Sequence, residues 1–240
     1  AVDDNTFEFV ANEVLELSKQ IEQQPNKASL YLERGKLNVR MLAFDDAVAD
    51  TSKALDMDAS QLDAYFWRGM ALGRQRKLDA AIADLSVYLE HRPNDSLAFT
   101  KRGVRYIWKG DLVSAEKDLR RAIELDAGNA EAHDDLGVIV AQRGELKKAA
   151  EHFSTTVSVD PSYAKGHQNL AMTYFLQGEL ESALKSVNRS LALQTDNRSA
   201  LLLKGEILDG LGHGEEAAQA KAQAGFLPEA GWSERFHAGP

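Results

Sequence analysis

The 240-residue sequence predicts an all-α fold, a solenoid of six helical hairpins, on three observations. Gly35, Gly69, Gly103, Gly137 and Gly205 fall on one 34-residue step, with Ala171 in the remaining slot. Twelve residues after each stands an alanine: Ala47, Ala81, Ala115, Ala149, Ala183 and Ala217. Between these fixed points apolar residues recur at helical spacing twice per unit, as in Ala64, Tyr65, Trp67, Met70 and Ala71 followed by Ala80, Ala81, Leu85 and Leu89. A period of this length marks a repeat architecture, in which each unit buries its apolar face against the next.

Residues 1–27 read as an N-terminal cap. A helix over residues 5–24 puts Val10, Val14, Leu17 and Ile21 on one face and stops at Pro25. Residues 1–24 hold six acidic residues against one Lys, which suits a solvated outer face. Six units then follow, at 28–61, 62–95, 96–129, 130–163, 164–197 and 198–231. Four residues before each small residue of the first helix stands a bulkier one: Tyr31, Tyr65, Phe99, His133, His167 and Leu201. The break between paired helices is marked by Gly110-Asp111, Gly144-Glu145 and Gly178-Glu179, where Gly accepts a left-handed stop and the acid favours the next helix start. Leu42-Ala43 and Arg76-Lys77 occupy that place in units one and two and predict a weaker stop. A mid-helix Gly costs about 1 kcal/mol relative to Ala, so its return at one phase requires close helix approach. A tail, 232–240, carries Trp232 and Phe236 after Phe226 and has no repeat partner. It reads as a cover for the last helix, with a short recognition peptide as the alternative.

Units four and five hold Leu136-Gly137, Ala149, Phe153 and Pro161, then Leu170-Ala171, Tyr174 and Ala183, while Pro25 and Pro93 share the phase of Pro161. With these residues the chain, from Ala28 to about Gly231, resembles the tetratricopeptide repeat family. Arg34, Arg68 and Arg102 depart from the family's Leu beside each Gly and read as structural. The resemblance implies a right-handed α-solenoid and a non-enzymatic scaffold or adaptor. Its groove, lined by successive first helices, would bind an extended or helical segment of a protein or peptide partner. Carried over residue by residue, the groove would hold Leu32, Lys36, Val39, Arg40, Phe66, Trp67, Met70, Arg74, Lys101, Val104, Ile107 and Trp108. Units four and five would add Asp134, Val138, Gln168, Asn169, Met172 and Phe175. The family's clamp for a terminal carboxylate is not expected, because Leu32, Lys36, Trp67, Leu97 and Lys101 stand where its Lys and Asn residues would be.

Charge narrows the partner. The formal net charge is -9, the wrong sign for tracking a phosphate backbone, so nucleic acid is excluded. Unit three is +2 and unit two neutral, against -2, -3 and -2 for units one, four and six. A wall with Trp67, Trp108, Arg40 and Arg74 then suits an acidic or mixed-apolar segment. No run approaches the ~20 apolar residues of a membrane helix, so membrane insertion is not expected. The absence of Cys removes disulfides, and the start at Ala1 points weakly to a secreted or periplasmic protein. No cofactor or metal is expected. His133 and His167 share a phase but lack a third ligand, and read as packing residues. Asp134 and Asp135 are adjacent on a helix and are expected to point apart. The alternative to a partner scaffold is a homo-oligomer that stacks through its ends or tail.

Overall fold

The computed structural model describes residues 4–227, and the tail call on 232–240 lies outside the described residues. Among the described residues there are thirteen α-helices and no strand. The first is α1 (Asp4–Gln23), with Val10 and Ile21 buried and Val14 and Leu17 half-buried. Helix pairs follow: α2 (Ala28–Arg40) with α3 (Phe44–Met57), α4 (Leu62–Arg74) with α5 (Leu78–His91), then α6 (Ser96–Lys109) and α7 (Leu112–Leu125). Next come α8 (Ala130–Gln142) with α9 (Leu146–Val159), α10 (Ala164–Leu176) with α11 (Leu180–Leu193), and α12 (Arg198–Gly210) with α13 (Gly214–Gly225). The chain divides into two compact bodies, the first ending at Ala115 and the second starting at Glu116.

In the first body one core cluster joins Leu32, Ala54, Leu55 and Ala64, and a second joins Phe66, Leu85, Leu89 and Ala98. Each therefore spans the second helix of one unit and the first helix of the next. The second body repeats the plan with Val140, Ala149, Phe153 and Leu170, then with Ala171, Ala183, Val187, Ala200, Leu203 and Ile207. The mid-helix glycines allow this approach. A Cβ on Gly137 would lie 2.7 Å from the Phe153 ring, well inside van der Waals contact.

The weak stops in units one and two end their helices all the same. Leu42 and Arg76 take left-handed backbone at φ 62° and 64°, the conformation Gly110, Gly144, Gly178 and Gly212 adopt in the later units. Ala43 N–H donates to Asn38 O at 2.9 Å and Lys77 N–H to Leu72 O at 3.0 Å, matching Asp111 N–H to Tyr106 O at 2.9 Å. The same hydrogen-bonded turn thus forms in units one and two, against a conformational cost of about 1–2 kcal/mol for a residue with a Cβ.

The arginines beside the repeat glycines tie paired helices together. Arg34 Nε and Nη2 donate to Asp50 at 2.8 and 2.7 Å, and Nη1 reaches Ser18 at 3.0 Å. Arg68 repeats the fork on Asp84 at 2.7 and 2.9 Å and reaches Ser52 at 3.3 Å. Arg102 donates to Ser86 at 3.0 Å. Each guanidinium lies over the aromatic ring three residues before it, Tyr31, Tyr65 or Phe99, at 5.9, 5.7 and 5.6 Å. Hydrogen bonding to Asp50 and Asp84 raises the pKa of Arg34 and Arg68, against the opposing effect of burial.

Candidate partner-binding surface

In the first body much of the expected surface is core. Leu32 and Phe66 are buried, and Trp67 packs half-buried against both core clusters, edge-on to Phe66 at 5.5 Å. Met70 also leans on the second cluster. Lys36 is held by Glu33 at 2.8 Å and Asp63 at 3.7 Å. Arg74 lies over Phe44 at 5.5 Å, and burial lowers its pKa. Val39, Lys101, Val104, Ile107 and Trp108 are half-buried, and Arg40 is exposed.

Arg105, absent from the sequence-based set, organises this region. It is buried, stacks on Trp108 at 5.0 Å, and donates to the carbonyls of Lys101 and Met70 at 3.3 Å each. Its path is cleared by Gly73, where a Cβ would fall 2.4 Å from Arg105 Nε. Gly73 is a helical glycine outside the repeat phase, the one trace of this contact in the sequence.

The second body treats the equivalent positions differently. Asp134 is 0% exposed; its Oδ1 accepts from Asn169 Nδ2 at 2.8 Å, and its Oδ2 lies 2.9 Å from Lys165 Nζ. Asp135 Oδ1 is 3.6 Å from the same Nζ, so the adjacent carboxylates converge on one cation instead of pointing apart. Lys165, in the first turn of α10, thus bridges two carboxylates of α8. Burial disfavours its charge, yet the pull of Asp135 and Asp134 is stronger and its pKa is raised. Gln168 donates to Ser199 at 2.8 Å and accepts from Asn197 at 2.7 Å, and Asn197 caps α12 through Ala200 N–H. Asp134, Gln168 and Asn169 therefore join first helices to one another.

Beyond these polar rungs the surface is apolar. Met172 is 43% exposed and Leu176 59%, one and two turns further along α10 from Gln168. Leu202, 40% exposed, is one turn past Ser199 on α12. The Gln168–Ser199 hydrogen bond joins α10 to α12, the two helices that carry Met172 and Leu202. Val138 and Phe175 are half-buried beside the two core clusters. Leu176 and Leu202 escaped the sequence reading because its projection stopped at Phe175 and left out unit six.

The histidines serve turns. His133 Nε2 is 3.2 Å from Ala127 O and His167 Nε2 is 3.0 Å from Pro161 O, the same six-residue reach by which Tyr31 Oη donates to Pro25 O. The ring nearest His133 in the described contacts is His152, with centroids 6.2 Å apart.

Tetratricopeptide repeat models match residues 32–96, 101–164 and 164–197, more than half of the chain. The chain belongs to the tetratricopeptide repeat family. No match was found among curated protein sequences. Among solved structures, this tetratricopeptide repeat chain is similar to MamA at 23% identity and TM-score 0.58, covering 65% of this chain and 91% of that one. It is similar to YrrB, described as a tetratricopeptide repeat protein with an unusual peptide-binding site, at 25% identity and TM-score 0.57, covering 77% and 95%. The PilF protein of Pseudomonas aeruginosa matches at 16% identity and TM-score 0.74, covering 89% and 93%.

Proposed function

We propose that this protein is a binding scaffold whose second body takes an apolar-anchored segment of a protein partner on the strip of Met172, Leu176 and Leu202. One observation carries the reading: three large apolar side chains stand exposed on adjacent first helices, while the polar residues beside them are satisfied within the protein. The polar rungs fix the backbone, so the partner meets a pre-arranged surface and little ordering is needed on binding. The presence of a peptide-binding member, YrrB, among its structural relatives is in keeping with this use. In the first body the aromatic and cationic residues Trp67, Arg74 and Trp108 are held by internal contacts, which moves the weight of recognition from an acidic partner to an apolar one.

The test is selection of a random peptide library on the wild-type protein, followed by affinities for Met172→Asp/Leu202→Asp. Selected peptides should carry paired apolar residues and lose at least about tenfold in affinity, roughly 1.4 kcal/mol, in the variant. Equal affinity for both proteins, with helicity unchanged, would overturn the reading.

A further inference from the structure

On the helices that carry the apolar strip, most cations already have carboxylate partners. Lys165 of α10 is held by Asp134 and Asp135. Lys221 of α13 is held by Glu206 and Asp209 of α12 at 2.8 and 2.6 Å. Lys204 of α12 lines a separate cleft with Leu191, Leu201 and Gln223. Arg198 is different: it opens α12 one turn before the exposed Leu202, and among the described residues no carboxylate pairs with it.

Arg198 stands there at a cost. The other first helices open on Ala28, Leu62, Ser96, Ala130 and Ala164, all uncharged. At the first position of a helix a cation meets the positive end of the backbone dipole, and the first turn of α12 holds no acid to offset it. Its Nε is buried without a hydrogen-bond partner. Buried donors are nearly always paired, because an unmet donor forfeits the bonds it would make to water. Nothing within the described protein repays this placement.

We propose that Arg198 receives a carboxylate of the partner segment, a step that rests on the docking strip of Met172, Leu176 and Leu202. The partner is then an apolar segment with an Asp or Glu close to its anchors, since one helical turn puts Arg198 about 6 Å from Leu202 along the axis. A guanidinium can hold a carboxylate through two parallel N–H donors, and the bond strengthens as docking removes water from both groups. A basic segment with the same apolar residues would set like charge against Arg198 and be rejected. Arg198 thereby selects among the segments that the strip alone would admit.

Peptides selected from the random library on the wild-type protein test the proposal. They should be enriched in Asp or Glu at one fixed offset from the apolar pair. Exchanging that acid for its amide should weaken binding to the wild type about tenfold, and binding to Arg198→Gln by no more than about twofold. The urea midpoint of free Arg198→Gln should equal or exceed that of the wild type, because the arginine has no internal partner to lose. Absence of acid enrichment overturns the proposal. Equal losses for the amide peptide on both proteins do so as well, and a lower urea midpoint beside such equal losses would make Arg198 a structural residue. Peptides that depend on Met172 and Leu202 but ignore Arg198 sink this proposal alone, whereas peptides that ignore the strip sink the reading beneath it too.

Discussion

The two bodies use one backbone plan but draw their polar contacts from different repeat positions. In the first, charge lies within the hairpin: Arg34 with Asp50 and Arg68 with Asp84 join a first helix to its own second helix. Leu32, Phe66 and Trp67 lie in or against the core there, and the links between successive first helices are the Lys36–Asp63 ion pair and the Arg105 hydrogen bond to the Met70 carbonyl. The second body has Leu136 and Leu170 in two of the arginine slots, both buried; Asp134, Lys165, Asn169, Gln168 and Asn197 link its first helices, and Lys221 ties α13 to Glu206 and Asp209 within the last hairpin.

The comparison is tested most severely by removing one charged partner from each body. Lys165→Met leaves Asp134 fully buried with Asn169 as its remaining hydrogen-bond donor, and should cost about 3 kcal/mol in urea denaturation. Asp50→Ala strands Arg34 and Asn38, but Arg34 is partly exposed and can turn to water, so about 2 kcal/mol is expected. A larger loss for Asp50→Ala would show that the hairpin bridge, and not the rung between first helices, is the stronger device. Because stability in repeat chains is near-neighbour, hydrogen exchange should quicken first in α8 and α10 for the one and in α2 and α3 for the other.

The repeat, its helix pairs and the structural use of the arginines were legible in the sequence, because Gly and Ala at a fixed phase report backbone approach directly. Side-chain pairing was less so. Arg34 and Asp50 are sixteen residues apart, a spacing that carries no helical signal until the hairpin is closed. The convergence of Asp134 and Asp135 was misread because adjacent positions were judged by their Cα–Cβ directions, whereas Lys165 arrives from another helix and spans both. Of the residues named from family positions, Met172 is exposed, but Phe66 is core and Trp67 packs against it. Arg105 could have been suspected from Gly73, a helical glycine with no place in the repeat.

A smaller effect should come from the helix stops. Leu42 and Arg76 are the non-glycine residues with left-handed backbone among the described residues, and both belong to the first body. Arg76→Gly should therefore stabilise the chain by about 1 kcal/mol, seen as a higher urea midpoint at unchanged slope. Gly144→Arg, the reverse exchange in the second body, should destabilise by a similar amount; if Arg76→Gly has no effect, the arginine makes a compensating contact at that turn.

The smallest effect, and the one confined to the second body, is a response to acid. His152 is held neutral by burial and by the ring of His133, which together lower its pKa, while Glu151 and Glu116 pull the other way and Arg120 adds to the lowering. The folded state then binds fewer protons than the unfolded one once pH drops below the ordinary histidine value of about 6.5, so stability present above that value is lost as pH falls through the folded pKa. Glu116, held down chiefly by its hydrogen bond to Arg143, contributes in the same direction but below the usual carboxylate range. The two contributions are therefore separable: His152→Gln should flatten the stability profile between about pH 7 and 5 by a fraction of a kcal/mol and leave the steeper loss in stronger acid. An unchanged slope above pH 5 would mean that the pKa of His152 is not lowered by its surroundings.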